Sequence, residues 1–193
     1  MKPQADLSPE APVIQALARG VCPICTLMRV FQNTVIEAPH RFPATSVCNF
    51  HAWALAGSSP AVEAVPIFRS MLGDSAVKSA TSPVELHPCD WCVALREHED
   101  EKLSEFAREM KRENFRSWIA QYGTVCLFHG RKLIKILPEA EAEVVRQILA
   151  NNQEELEKQL SELDVRVRKG GKGGGGVLGH IAEFLVSQRG ITR

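Results

Sequence analysis

The spacing of six cysteines constrains this chain more than any other feature. A Cys-x-x-Cys pair is followed after 22 residues by Cys-x-x-His, and a second Cys-x-x-Cys pair is followed after 33 residues by another Cys-x-x-His. The first set is Cys22, Cys25, Cys48 and His51, and the second set is Cys89, Cys92, Cys126 and His129. Each set offers three thiolates and one imidazole, which is the donor set of a closed four-coordinate zinc site.

The two sets are also copies of each other. The segment Ser46–His51 and the segment Thr124–His129 agree at Val, Cys, Phe and His, and each begins with a hydroxyl residue. This pattern indicates a duplicated unit. We expect each ion to bind within one repeat, because the shorter loops of that arrangement cost less entropy to close.

Apolar residues recur at helical spacing along most of the chain, whereas strand signals are nearly absent. The predicted fold class is therefore all-α, with antiparallel helix pairs joined at their metal-bearing ends. We expect the ligand pairs at helix N-termini, where unpaired amides and the positive end of the helix dipole stabilise thiolates. The predicted helices are 8–19, 26–37, 46–56, 60–80 with a kink or restart at Pro66, 90–112, 114–122, 126–137, 139–167 and 177–188.

These helices and the composition divide the chain into six predicted segments. They are an N-terminal helical extension (1–19), the first unit (20–81), the second unit (82–137), a long helix (138–168), a glycine-rich flexible loop (169–176) and a C-terminal helix (177–193). The long helix is amphipathic and carries Asn152 in its apolar seam. We expect it to pack along the two units. Contact with a second copy of the chain, giving a homo-oligomer, is the alternative.

Composition excludes several classes of protein. The chain has 23 basic and 23 acidic residues, so it lacks the positive charge of a typical nucleic-acid-binding protein. No apolar run approaches the roughly 18 residues of a membrane helix, and the first residues do not form a secretory signal. We therefore expect a cytoplasmic protein that binds no nucleic acid and no membrane, and whose cysteines stay reduced unless a metal holds them.

Other patterns in the sequence are weaker. The glycines at 171, 173 and 176 match a dinucleotide-binding spacing, but the βαβ context and the acidic residue that such a site needs are missing. The pairs His98/Glu101 and His180/Glu183 have helical spacing, and we interpret them as solvated helix faces rather than metal sites. No catalytic triad or pair of catalytic carboxylates is recognisable, so the sequence favours no enzymatic activity.

The metal-ligand motifs resemble those of a bacterial protein family whose shared domain has no known function. The resemblance rests on Cys22-Pro-Ile-Cys25, on Cys48-Asn-Phe-His51-Ala-Trp53, and on the looser second copy at Cys89–Cys92 and Cys126–His129. It covers roughly residues 20 to 165. The resemblance implies a helical metal-binding fold and implies no activity.

Three functions compete at this point. The first is a non-catalytic protein with two structural zinc ions that presents helical surfaces to a protein partner. The second is an iron–sulfur protein that uses the same ligands for electron transfer, sensing or cluster delivery. The third is a thiol–disulfide enzyme, which the missing βαβ context and the unexplained Cys-x-x-His motifs disfavour.

Overall fold

The computed structural model describes residues 21–44, 46–74, 88–170 and 174–186. Within these ranges the chain forms α-helices and one short 3-10 turn (Pro39–Arg41), with no β-strand, so the predicted all-α class is confirmed for the described residues. The helices are α1 (Pro23–Glu37), α2 (Asn49–Ser58), α3 (Ala61–Asp74), α4 (Asp90–Glu109), α5 (Glu113–Tyr122), α6 (Leu127–Ile136), α7 (Glu139–Arg168) and α8 (Gly175–Val186).

Two helices sharpen or change their predicted form. Pro66 lies inside the continuous helix α3, so the predicted restart is excluded and the alternative, a kink at Pro66, stays a prediction. Helix α8 begins at Gly175, inside the segment predicted as a flexible loop, directly after Gly174 with its positive φ of 143°. Glycine costs only about 1 kcal/mol per helical position, and the packing of α8 on α6 and α7 offsets that cost. The predicted helix 8–19 and residues 75–80 of the predicted helix 60–80 lie outside the described residues.

The chain divides into two compact units, which are described separately. Among the described residues, unit 1 comprises 21–27 and those from 101 onwards, and unit 2 comprises those from 28 to 100. The boundaries fall within α1 and within α4. The six segments proposed from the sequence stay a prediction.

Unit 1 is organised around the long helix α7, which packs against α5, α6 and α8. At Gly130 on α6, an added Cβ would lie 2.8 Å from the Leu149 side chain of α7, so a larger residue there would require Leu149 to move. Gly130 directly follows His129. The buried apolar side chains of the unit include Leu103, Phe106, Met110, Ile119, Val125, Leu133, Leu137, Ala142, Val145, Ile148 and Leu163.

Unit 2 packs around Trp91, which is 1% exposed and whose indole Nε1–H donates to the Phe42 carbonyl at 2.9 Å. The core cluster also contains Val35, Ala44, Leu55, Ala64 and Cys89. Because Trp91 and Cys89 belong to one Cys-x-x-Cys motif, the hydrophobic core of the unit and its metal ligands are positioned together.

None of the helices in the described ranges has the length and apolar character needed to cross a membrane.

Candidate metal centres

The structure gathers the eight predicted ligands into two groups of four. Cys22, Cys25, Cys126 and His129 form site I in unit 1, and Cys48, His51, Cys89 and Cys92 form site II in unit 2. In each group the four ligand atoms all lie within 4.8 Å of one another. The predicted ligand residues are therefore brought together, but their predicted grouping within repeats is wrong. Instead the first Cys-x-x-Cys pairs with the last Cys-x-x-His, and the two inner motifs pair with each other.

Site I is buried on all sides. Cys22 is the most exposed of its ligands, at 6%, and His129 is 1% exposed. The Nδ1 atom of His129 lies 3.2 Å from the Cys126 sulfur, 3.3 Å from the Cys25 sulfur and 3.6 Å from the Cys22 sulfur. The Cys25 and Cys126 sulfurs are 3.6 Å apart. The imidazole nitrogen thus faces all three thiols at once.

Site II has the same donor arrangement, but two of its ligands are more exposed to solvent. The Nδ1 atom of His51 lies 3.3 Å from the Cys89 sulfur, 3.4 Å from the Cys48 sulfur and 3.5 Å from the Cys92 sulfur. His51 and Cys89 are buried, whereas Cys48 and Cys92 are half-buried. The Nε2 atom of His51 is buried without a hydrogen-bond partner among the described residues, so its ring is held by packing rather than by an acceptor.

Packing of the His51 ring comes from two aromatic neighbours. Trp91 meets it edge to face at 5.6 Å between ring centroids, and Phe50 does so at 5.2 Å. Trp91 is fully buried and excludes water from its side of the site.

The two-residue spacer of each motif has a simple structural origin. Each motif begins at the residue before a helix, and its second ligand is the third residue of that helix. In this register the first cysteine is the N-cap, and its sulfur can accept from the amide of the second ligand. The amide of His129 donates to the Cys126 sulfur at 3.4 Å, and the amide of Cys92 donates to the Cys89 sulfur at 3.4 Å. Each site therefore joins two helix N-termini, as predicted.

The thiols of site I cannot all ionise together without a cation. Burial opposes ionisation of Cys22, but hydrogen bonds from Cys126, Cys25 and His129 hold its pKa well below the usual range. The neighbouring thiols of Cys126 and Cys22, together with burial, raise the pKa of Cys25. A thiol that donates its hydrogen to a neighbouring sulfur keeps its proton while that neighbour ionises, which explains this divergence, and a bound divalent cation would remove it.

Site II shows the same divergence. Burial opposes ionisation of Cys48, but the backbone amide of His51 and the thiols of Cys92 and Cys89 lower its pKa. Burial, followed by the Cys89 and Cys48 thiols, raises the pKa of Cys92 to about 12. Burial also lowers the pKa of His51, which keeps the imidazole neutral and able to bind a metal.

The distances fit one four-coordinate ion at each site. Bond lengths of about 2.3 Å to sulfur and about 2.0 Å to nitrogen place neighbouring tetrahedral donors about 3.5 to 3.8 Å apart. The separations from each imidazole Nδ1 to its three sulfurs, and those of Cys25–Cys126 and Cys48–Cys92, span 3.2 to 3.8 Å, and all donor atoms of a site lie within 4.8 Å of one another. The six cysteines, all within the described ranges, form no disulfide, and their sulfurs lie beyond the bonded S–S distance of about 2.05 Å. Both groups can therefore hold a metal ion.

A pair of backbone contacts explains why the inner motifs share a site. The amide of Ser46 donates to the Asp90 carboxylate at 3.0 Å, and the amide of Asp90 donates to the Ser46 carbonyl at 2.9 Å. These bonds hold the segment before Cys48 against the start of α4. Pro23 occupies the position of Asp90 in the first Cys-x-x-Cys and has neither the amide hydrogen nor the carboxylate. The two copies therefore differ in the residue that makes this connection.

The sequence analysis did not identify three residues near the sites as functional positions. Asp90 was visible only as a difference from Pro23, and Gly130 only as a glycine inside a helical pattern. Asn152 was identified as a polar residue in an apolar seam, and the structure places it at a cavity beside site I.

Comparison of the chain with protein-family models, with curated proteins and with solved structures finds no match.

Proposed function

We propose that both sites hold structural zinc and that the chain is a non-catalytic helical module that binds a protein partner. The observation that carries this proposal is the compactness of the two donor groups. Three sulfurs and one nitrogen converge on a single point at each site, and together they complete a tetrahedral shell. A complete shell leaves no position for a reacting water, so the ion contributes stability to the fold rather than catalysis.

The same compactness favours a single ion over an iron–sulfur cluster. The protein ligands of a cluster are distributed over two or more iron atoms with sulfides between them, which requires room at the centre of the ligand set. In site I the His129 nitrogen lies within 3.6 Å of all three sulfurs. The distances in both sites match the edges of one tetrahedron around one ion.

The proposed partner surface consists of exposed apolar side chains. In unit 2, Trp53 on α2 is 73% exposed and Val62 on α3 is 80% exposed. In unit 1, Leu160, Val165 and Val167 on α7 are each about half exposed. Large exposed apolar side chains are typical of binding surfaces. The cytoplasmic location and the relation to the helical family of unknown function belong to the same proposal.

Metal analysis of an anaerobic preparation tests the zinc assignment. We expect a colourless protein with two zinc ions per chain by native mass spectrometry and no acid-labile sulfide. Anaerobic handling matters because adventitious zinc can replace a cluster lost in air. A brown protein with stoichiometric iron and sulfide would refute the assignment and support the cluster alternative.

Sedimentation analysis tests the role of the long helix. A Leu160→Glu variant removes an exposed apolar group from α7, and Ser161→Glu next to it, also exposed, is the control. If α7 mediates self-association, only the first variant shifts the protein towards the monomer. If both variants and the parent protein are monomeric, the exposed face of α7 does not mediate self-association and is available to bind a different protein.

A further inference from the structure

Two of the three thiols in site II are half-buried, and their sulfur atoms lie close together. They belong to Cys48 and Cys92, and 3.8 Å separates the two sulfurs. Few atoms surround either sulfur, whereas Cys89, the third thiol of the site, is only 8% exposed. A small polar reagent in the solvent therefore meets Cys48 and Cys92 before it meets Cys89.

Site I contains the corresponding pair of sulfurs with much less exposure. The Cys25 and Cys126 sulfurs are 3.6 Å apart, and the two residues are 4% and 2% exposed. They border a cavity of about 260 Å³, but atoms pack densely around the Cys25 sulfur. Each pair joins the second cysteine of a Cys-x-x-Cys motif to the cysteine of a Cys-x-x-His motif. The two pairs therefore match in sequence position and in separation, and they differ in exposure.

Exposure and proximity together decide how a cysteine responds to an oxidant. The thiolate is the reactive form, and zinc ligands are held as thiolates. Cys48 is also the N-cap of α2, where the positive end of the helix favours a thiolate. A second sulfur nearby converts the first oxidation product into a disulfide. Because a bonded S–S distance is about 2.05 Å, the sulfurs of Cys48 and Cys92 need to approach by only about 1.8 Å.

We propose that Cys48 and Cys92 are a peroxide-sensitive pair, whose oxidation to a disulfide opens site II and releases its ion. The Cys48 thiolate attacks one oxygen of hydrogen peroxide, the O–O bond breaks and hydroxide leaves, so Cys48 becomes a sulfenic acid. The Cys92 thiolate then attacks the Cys48 sulfur, an S–S bond forms, and the sulfenic oxygen leaves as a second hydroxide. Each hydroxide takes a proton from the solvent. Overall each sulfur loses one electron, and the peroxide gains two and becomes two waters.

The disulfide removes two of the four donors of site II. His51 and Cys89 alone do not complete a tetrahedral shell, so the ion leaves. Reduction by a thiol restores both ligands and allows zinc to bind again. The release of an ion rests on the proposed zinc in site II, whereas the disulfide is detected independently of the metal.

Peroxide treatment of the zinc-loaded full-length protein, followed by alkylation of the remaining thiols and tryptic digestion, tests the proposal. In such a digest Cys48 lies on the peptide 42–69 and Cys92 lies on the peptide 79–96. Mass spectrometry detects the two peptides when a disulfide joins them. We expect this linked species to form at least about tenfold faster than any disulfide in site I, because oxidation follows exposure.

Fragmentation of the linked peptides identifies the cysteine that is joined to Cys48. A bond to Cys89 instead of Cys92 would overturn the proposal, and so would a Cys89–Cys92 loop within the peptide 79–96. Disulfide formation in site I at the same rate would contradict the role of exposure. Recovery of every cysteine in alkylated form after peroxide treatment would also overturn the proposal.

Two matched variants test the role of the second sulfur. Cys92→His keeps a metal-binding side chain but removes that sulfur, so dimedone should trap Cys48 as a sulfenic acid and no linked peptide should form. Cys25→His changes the same motif position in site I, and it should form the Cys48–Cys92 disulfide at the rate of the parent protein. Loss of the disulfide in Cys25→His would overturn the assignment to site II alone. The measurements on the parent protein do not depend on the folding of either variant.

Native mass spectrometry of the same samples counts the ions before and after oxidation. We expect two zinc ions before peroxide, one afterwards, and two again after reduction in the presence of zinc. Two ions at the start without a Cys48–Cys92 disulfide, or a disulfide without loss of an ion, would overturn this inference alone. A different count before oxidation would instead refute the proposed zinc sites.

Discussion

Sites I and II have identical donor sets in the same helix-cap register, yet they differ in how the rest of the chain covers them. All four ligands of site I are buried, whereas Cys48 and Cys92 of site II are half-buried. Site I is supported by the close approach of α6 to α7 at Gly130, and site II by the paired bonds of Ser46 and Asp90. The local motif therefore decides which donor atoms are gathered at each site, and the surrounding packing decides how well those atoms are covered.

The pairing of motifs is the clearest consequence of that packing. Loop entropy favours pairing within repeats only slightly, because each doubling of loop length costs about 0.6 kcal/mol. Pairing the outer motifs with each other and the inner motifs with each other costs about 1.5 kcal/mol more in total. Burial of one large apolar side chain is worth about 1.5 to 3 kcal/mol, so the packing of even a single such side chain offsets this difference.

The largest expected effect is on metal content. One double variant, Cys22→Ser with Cys126→Ser, removes two ligands of site I and should lose one ion. The other, Cys22→Ser with Cys48→Ser, removes one ligand from each site and should lose two ions. Native mass spectrometry counts the ions directly. The opposite result, with two ions lost from the first double variant, would contradict the observed pairing and restore pairing within repeats.

A smaller effect is expected from truncation of the core beside site I. Leu133 on α6 is completely buried, so Leu133→Ala should lower the free energy of unfolding of unit 1 by about 2 to 5 kcal/mol. Ile136 on the same helix is 52% exposed, and Ile136→Ala should change it by less than about 0.5 kcal/mol. Urea denaturation followed by circular dichroism measures both. Equal losses would show that α6 is not packed as described.

Pro23 and Asp90 occupy the same position in the two Cys-x-x-Cys motifs. Exchanging them tests whether the bonds between Asp90 and Ser46 stabilise site II. Asp90→Pro removes both bonds to Ser46 while keeping a residue suited to the first turn of a helix, and should destabilise unit 2 by about 1 to 3 kcal/mol. Pro23→Asp in unit 1 is the reciprocal control and should cost less. Thermal unfolding followed by circular dichroism measures both changes, and no loss of stability in Asp90→Pro would rule out a supporting role for these bonds.

The smallest expected effect is kinetic. Because two of its sulfurs are half-buried, site II should release zinc to a chelator about tenfold faster than site I, which corresponds to about 1.4 kcal/mol in the free energy of local opening. Absorbance of a chromogenic chelator follows the two phases. Variants that each retain one site assign them, and slower release from site II would contradict the comparison of burial.

The sequence was sufficient for the all-α class and for the ligand residues because both depend on local patterns. A two-residue spacer fits the N-cap and the third position of a helix, so all four motifs could be placed at helix starts without knowledge of the fold. The start of α8 at Gly175 was missed for the opposite reason, since packing on α6 and α7 overrides the weak helix preference of glycine.

By itself, then, the sequence identified the eight side chains that the two sites bring together and the helical register in which they lie. Only the tertiary structure decided which motifs share a site, and the bonds between Ser46 and Asp90 join the two inner motifs. The cavity beside Asn152 was decided in the same way. The spacing of the ligands along the chain reflects local helix geometry. Which motifs share a site, and how well that site is covered, depend on close packing between helices. There, a single amide hydrogen or carboxylate changes which segments are held together.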